Sequence, residues 1–532
     1  MKTHKRINII FALIVMVYAI YAGIYIYQTS FVASGERYFV LFDDAMISMR
    51  YARNLAHGYG LVWNPGGARV EGYTNPLWVV FMAMFHLFPF PVTKLSLLIQ
   101  ISGAVFLIIN LYFVKKIVES LTSNQIVPLL VVILTAFYNP LNNWGLQGME
   151  VSVLTLLVSA TLWVGLQNLR KRDFSLWLYL LLGISTLIRI DMAVPYLVIL
   201  LFMALALPEH RRQNLLWGFG LFLVFILGQS LFRLWYYGDF LPNTYYLKMT
   251  GYPAILRIAH GFYVLGQFIL QVNWLLFLFP FIALIFRRDR FVLLLLLVFL
   301  GQIAYSVYVG GDAWEERGGS NRYISIVMPL FFTLFVLVAD RIRDAIANKL
   351  KDLTNRTALF TNLGLVLFVG TSMVNFNYLV NIRSLERWAL LRQPLFIEGN
   401  KEYVQIALAV DKITTPQASL AVVTAGAIPY FSDRFAIDLL GKNDVKIAHE
   451  KVHTNLFLSG VTNFRPGHLK WDYDYSLGEL KPDVVVQLWG NTSEAQPYID
   501  QYYQVGGAPN DLAFSLRVGS ENILWDQVQL AP

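Results

Sequence analysis

FVLFDDAMISMRYARNLAHGYGLVWNPGGARVEGYTNP, running from Phe39 to Pro76, separates two stretches apolar enough to sit in lipid. It carries Asp43, Asp44, Arg50, Arg53, His57, Arg69 and Glu71 in a chain of which only 14% is charged. Soluble globular chains carry roughly 25% charged residues. The rest of this 532-residue chain accounts for the contrast. It is 56% hydrophobic, with a mean hydropathy of +0.52. Apolar runs of about 20 residues recur along it, each long enough to cross a bilayer as a helix. Runs such as Phe291–Leu300 lack the polar face that a helix packed on a soluble core would show. The expected fold class is a polytopic, all-α membrane bundle. Phe39–Pro76 then belongs to a long first outer loop, residues 28–76.

Candidate spans lie near residues 9–27, 77–93, 95–114, 126–138, 150–166, 176–189, 192–207, 215–235, 262–286, 291–310, 323–339 and 358–379. The first follows Lys2, Lys5 and Arg6 and has no small-residue cleavage site, so it reads as an uncleaved span. The net charge is +8, 42 basic against 34 acidic residues. Its bases cluster in short loops: Arg170/Lys171/Arg172, Arg211/Arg212, Arg287/Arg288/Arg290 and Arg341–Arg356. Such clusters mark cytoplasmic loops rather than a nucleic-acid partner. The loops Asn139–Glu150, Tyr236–His260 and Gly310–Arg322, with the first loop, then face the opposite side. Twelve spans would return both termini to one side. An odd count of eleven or thirteen suits the charges better, with the discrepancy expected between residues 77 and 138, where Lys115 and Lys116 are ambiguous.

From about Ser384 the apolar runs stop. Lys401–Val410 reads as helix, while SLAVVT at Ser419–Thr424 and DVVVQL at Asp483–Leu488 read as buried strands. The expected division is a membrane domain at 1–383 and a C-terminal extracytoplasmic α/β domain at 384–532. The chain has no cysteine, which excludes disulfides, thiolate metal sites and cysteine nucleophiles.

The doubled aspartate is the first candidate for chemistry. Adjacent carboxylates repel, so one can keep a raised pKa and act as a base. Asp is also a good N-cap for the helical periodicity of Ala45–Ala56. Capping, base and both remain open on the residues alone. Arg50, Arg53 and His57 share a helix face that can hold a phosphate or anchor a headgroup. Glu71, Tyr73 and Asn75 can bind sugar hydroxyls, while Trp63 and Trp78 are expected in the interfacial aromatic belt. Glu150 sits at a span mouth, and Arg189 and Asp191 lie between two apolar runs. Asn243, Lys248, Asp312 and Arg322 lie in the outer loops. A carboxylate cluster can hold a divalent cation. No diagnostic metal, Walker A or dinucleotide spacing occurs, so the cation stays open.

FDDAMISMRYARNLAHGYGLVWNPG followed by RVEGYTNPLW resembles the first outer loop of integral-membrane glycosyltransferases of the GT-C type. The group in question is that of the mycobacterial terminal β-(1→2)-arabinofuranosyltransferase and its bacterial relatives. The likeness extends to GLQGMEVSVL, GDFLPNTYYLK, the segment Gly310–Pro329, and the tail motifs AGAIPYFSDRFAIDLLGKND and FRPGHLKWDYDY. At Gln147-Gly148-Met149 the chain departs from the group's usual Gly-Leu-Glu-Thr-type sequence, leaving Glu150 as the acid. The resemblance implies a bacterial cytoplasmic-membrane enzyme, its C-terminal domain periplasmic. It would move a sugar from a polyprenyl-phosphate donor to a glycan, lipid or protein acceptor. A first-loop acid, Asp44 ahead of Asp43, would be general base, with Arg322, Lys248, Arg189 and Arg50 as phosphate ligands. Arg53, His57, Glu71, Tyr73, Asn75, Glu150, Asn243 and Asp312 complete the expected substrate contacts. Arabinose is not implied. A lipid-linked glycan flippase or ligase, or a transporter, is the alternative class; internal repeats typical of transporters are absent.

Overall fold

Polar breaks divide the first 380 residues into helices of very different length. The computed structural model describes residues 2–286, 289–350, 357–453 and 458–531. Its first helices are α1 (Lys2–Gln28), α2 (Asp43–Ala56), α3 (Pro76–His86), α4 (Val92–Glu119), α5 (Ile126–Ala136), α6 (Asn139–Leu146), α7 (Val151–Lys171), α8 (Leu176–Ile188) and α9 (Ala193–Ala206). At 1.5 Å per residue, a bilayer core needs about 20 helical residues. Six helical segments among the described residues meet that need by length and apolarity: Lys5–Gln28, α4, α7, Pro208–Tyr237, Arg290–Val309 and Thr357–Asn377. Two bent pairs raise the number to eight. These are α5 with α6, at 54°, and Asn243–Met249 with Ala254–Gln271, at 83°.

The expected eleven to thirteen spans exceed this because several apolar runs are broken. The runs at 176–189 and 192–207 form α8 and α9, separated where Arg189 turns to extended backbone and Asp191 enters a short 3-10 turn. The run at 262–286 breaks at Asn273 and again before Phe279. The run at 323–339 begins as the four-residue helix Arg322–Ser325 before Met328–Leu350.

The stretch at 77–93 does not cross at all. Helix α3 has 11 residues, about 16 Å of rise. At its start Asn75 is bonded to Ser48 of α2; at its end His86 Nε2 lies 3.1 Å from the Tyr430 hydroxyl of the tail domain. Both ends therefore lie on one side. Helix α4 does cross: Thr93 near its start accepts from Phe39 N at 3.0 Å, and Lys115 near its end donates to Asn8 of α1 at 3.2 Å. Removing α3 leaves eleven of the twelve sequence candidates, against six to eight segments long and apolar enough to cross among the described residues. Arg170, bonded to the Ser120 carbonyl, and Asn124, bonded to Asp340, gather with Lys115 on the N-terminal side. Of the expected basic clusters, Arg287, Arg288 and residues 351–356 lie outside the described residues.

The first loop opens with a two-stranded hairpin, β1 (Phe31–Ala33) and β2 (Glu36–Tyr38). Its turn places Ser34 and Gly35 at positive φ, as tight hairpins require. Among the described residues the tail holds six strands: β3 (Ser419–Val422), β4 (Phe435–Asp438), β5 (Val484–Val485), β6 (Tyr503–Gly507), β7 (Ala513–Arg517) and β8 (Gln529–Leu530). Their order is β4-β3-β5-β7-β6-β8, with β4, β3 and β5 parallel and the remaining pairs antiparallel. The apolar stripe of helix Ile397–Ile413 is buried in the tail core. Asn64 of the first loop bonds both the N–H and the carbonyl of Ala436, occupying the outer edge of β4 as a strand would. Beyond the carboxyl ends of β3 and β4, Ala427 and Lys442 meet the head of α2, the usual place for a site in such sheets.

Candidate active site

At Phe42 the chain passes from extended backbone (φ −56°, ψ 142°) into α2, so Asp43 and Asp44 occupy the first helical turn. Neither caps it: no side-chain cap hydrogen bond forms. That corrects the capping expectation. The two carboxylates diverge instead. Asp43 Oδ1 accepts from Ala427 N of the tail at 2.7 Å. Asp44 Oδ2 accepts from Arg322 Nη1 at 2.8 Å, and its Oδ1 from Lys442 Nζ at 2.9 Å. Arg322 in turn forks onto Asp312, at 2.6 and 2.7 Å. The Asp44 side chain keeps 21% of its surface accessible.

Their acidities diverge too. Burial pushes the Asp43 carboxyl up to about 7; neighbouring Asp44 adds to the rise and the Ala427 N–H opposes it. Burial would also raise Asp44, but Lys442 first, then Arg322 and Lys248, hold it well below the usual carboxylate range. Because the folded chain holds the Asp43 proton more tightly than the unfolded one, that contribution to stability is complete below 3.8 and is lost as pH rises through about 7. Thermal melting in detergent should therefore fall between about pH 4 and 7, and Asp43→Asn should flatten the fall. An unaltered slope in the variant would refute this environment for Asp43.

Asp44 lies on a cleft of about 1130 Å³ that is open to solvent. Asp44, Arg322, Lys248, Asp312, Arg189, Glu150, Asn75, Tyr73 and Glu71 all line it. The outer loops thus bring together residues more than 270 positions apart. Asn75 donates to Glu150 Oε2 at 2.9 Å, and Glu150 Oε1 accepts from Arg189 Nη1 at 3.1 Å. Arg189 also forks onto Asp191, at 2.9 and 3.0 Å, and stacks over Tyr323. The Tyr73 hydroxyl lies 2.8 Å from that of Tyr237, and Glu71 is gripped by Arg233.

Other expected contacts are not made here. Arg50, Arg53 and His57 share a face, but the face does not line the cleft. Arg50 donates to the carbonyls of Trp63, Pro429 and Arg434 and to Asn64. Arg53 bonds the Tyr430 carbonyl and Asp433. His57 is exposed at the C-cap of α2. The first two fasten loop to tail, because backbone carbonyls at the end of the Ala427–Ser432 helix lie opposite them. Asn243 bonds the carbonyls of Gly441, Lys442 and Asp444, at 3.0 to 3.2 Å, and so fixes the turn that carries Lys442. Trp63 and Trp78 are 3% and 2% exposed and donate to the carbonyls of Ala425 and Gly148. They are buried struts rather than an interfacial belt.

Sequence reasoning passed over Lys442, Gln229 and Arg233, which also line the cleft. A signal existed for each. Lys442 sits in the Gly-Lys-Asn-Asp turn after buried strand β4. Gln229 and Arg233 interrupt the apolar helix Phe219–Tyr237, and polar groups within such a helix mark function by default. Among the described residues no three His, Asp or Glu side chains are grouped as a metal site requires.

Residues 392–517 match a family model described as "Domain of unknown function (DUF8728)". No curated protein matches the chain by sequence. Solved structures do match by fold. ArnT from Cupriavidus metallidurans in the apo state aligns with a TM-score of 0.53 at 12% identity, over 82% of this chain and 86% of that one. The same protein bound to undecaprenyl phosphate aligns at 0.52 and 12%, over 81% and 85%. The archaeal oligosaccharyltransferase AglB from Archaeoglobus fulgidus, in complex with an inhibitory peptide and a dolichol-phosphate, aligns at 0.52 and 10%, over 98% and 75%. By fold the chain is a multi-pass membrane protein of the GT-C architecture with a C-terminal sheet domain.

Proposed function

We propose that the chain is an inverting glycosyltransferase. It takes a sugar from a polyprenyl-phosphate donor and passes it to a hydroxyl of a glycan, lipid or protein acceptor. The reaction takes place at the outer face of a bacterial cytoplasmic membrane, with the tail domain on that side. The observation that carries the reading is the head of α2, where Asp44 stands against Arg322, Lys442 and Lys248 in a cleft at the ends of the membrane helices. The polyprenyl phosphate is carried over from the lipids bound by the two similar proteins.

The acceptor oxygen attacks the anomeric carbon, the bond from that carbon to the phosphate oxygen breaks, and the acceptor proton passes to Asp44. The leaving phosphate gains one negative charge, which Arg322, Lys442 and Lys248 stabilise. Direct displacement inverts the anomeric centre. Held by two cations, Asp44 is by itself a poor base. A bound phosphate competes for those cations, relaxes their hold and raises the proton affinity of Asp44 when the acceptor is present. Asp43, once ionised, pushes in the same direction. Arabinofuranosyl transfer is one instance of this chemistry; nothing in the cleft singles it out.

Lys442→Met removes one phosphate ligand and leaves Arg322 and Lys248. Donor KM is expected to rise about tenfold, the worth of one charge-assisted hydrogen bond. An unaltered donor KM would remove Lys442 from the phosphate site. The reading itself is tested by incubating the purified protein with polyprenyl-phosphate sugars and following sugar transfer. Full turnover in both Asp43→Asn and Asp44→Asn would overturn the acid assignment.

A further inference from the structure

Two buried polar atoms in the cleft have no protein partner. Gln229 and Arg233 lie one turn apart on the helix Phe219–Tyr237 and are 8% and 4% exposed. The Gln229 amide nitrogen reaches the carbonyls of Thr186 and Phe225, each at 3.4 Å. That fixes which end of the amide is which, and its Oε1 is left without a donor. Arg233 directs Nε and Nη2 onto Glu71, and its Nη1 is left without an acceptor. Buried polar atoms are nearly always paired in a working protein, and both residues face the cleft.

An unmet acceptor and an unmet donor thus lie one helical turn apart on residues that line the cleft. One ligand group filling both must donate and accept at once, which a hydroxyl does. A carboxylate would fill Arg233 but leave Gln229 Oε1 without a donor and meet Glu71 as a like charge. An ammonium would fill Gln229 but face Arg233.

The fixed charges agree. At this end Arg233 and Arg189 stand among Glu71, Glu150 and Asp191, two cations to three carboxylates. At the α2 end Arg322, Lys442 and Lys248 stand among Asp44 and Asp312, three cations to two carboxylates. One anion, the phosphate, suits the second end, and a second anion is repelled from the first. We infer that Gln229 and Arg233 recognise a hydroxyl of the donor sugar, and that the cleft accepts an uncharged sugar rather than a uronic acid or a phosphorylated one. This rests on the donor reading above.

The test measures equilibrium binding to the full-length protein in detergent. The probes are undecaprenyl phosphate alone and undecaprenyl phosphate bearing glucose, galactose, arabinose or glucuronate. At least one neutral glycolipid should bind about tenfold more tightly than the bare lipid, and the glucuronate lipid no more tightly than the bare one. Gln229→Leu should erase the gain from the neutral sugar while bare-lipid affinity stays within about threefold, which also reports that the variant is folded. Gln229→Met repeats the test if Gln229→Leu does not fold. Retention of the sugar's gain in the variant, or glucuronate binding as tight as the neutral sugars, would overturn the inference. So would bare lipid binding to which no sugar adds, as expected if Gln229 and Arg233 hold only water. Failure of the bare lipid itself to bind would defeat the donor reading, and this inference with it.

Discussion

Asp44→Asn is expected to lower the rate of sugar transfer about 10²–10⁴-fold, the usual worth of a positioned general base. The donor KM should not rise with it. Asparagine removes the negative charge that occupies Arg322 Nη1 and Lys442 Nζ. Both cations are then freer to meet a phosphate, and Arg322 keeps its fork onto Asp312, so no buried guanidinium is orphaned. A collapse of kcat with an unchanged or smaller KM separates loss of a proton acceptor from loss of a binding group. The opposite pattern, a raised KM with kcat intact, would make Asp44 an organiser of the cations and move the base elsewhere.

Arg50→Ala is expected to loosen the first loop from the tail domain. The guanidinium is 1% exposed. It bonds Trp63 and Asn64 on the loop side and Pro429 and Arg434 on the tail side, and it lies over the Trp63 ring. Truncation leaves several buried acceptors without a donor, at roughly 1–3 kcal/mol each. Lysine is a poor substitute, since a point charge cannot reproduce a fork that meets both sides. Limited proteolysis should release the tail from Arg50→Ala at least about tenfold faster than from wild type, because nicking tracks the population of the opened state. Transfer should fall as well, since Lys442 reaches Asp44 from the tail. Unchanged protection together with weakened donor binding would return Arg50 to the phosphate site.

The fate of Arg50 shows where the sequence stops being legible. A basic stripe beside a bilayer reads as an anion site, yet its partners are backbone carbonyls, which leave no mark in the residue pattern. One of them, that of Pro429, is 379 positions away. Lys442 was hidden for the same reason. Its turn looks like any loop after a strand until Asn243 and the parallel order of β4, β3 and β5 bring it to α2. The bundle and tail were legible, because long apolar runs and buried strands are local signals. Helix lengths were not. Whether α3 crosses depends on His86 meeting Tyr430, whereas the separation of residues 176–207 into two helices was legible and is borne out by α8 and α9. Apart from Lys442 and Arg233, the carboxylates and bases of the cleft could be named in advance because charge in so apolar a chain is rare. Which of them touch could not, since Asp44 and Arg322 meet only through the fold.

The central claim is that this cleft cleaves a sugar from a polyprenyl phosphate. The most direct test incubates full-length protein in detergent with undecaprenyl-phosphate sugars labelled in the sugar, with and without an acceptor glycan, and follows free undecaprenyl phosphate. Wild-type protein should release it in step with labelled product of inverted anomeric configuration, and Asp44→Asn should not. If every donor stays intact while the labelled lipid changes leaflet in reconstituted vesicles, the protein is a carrier of glycolipids and the account of Asp44 as a base is wrong.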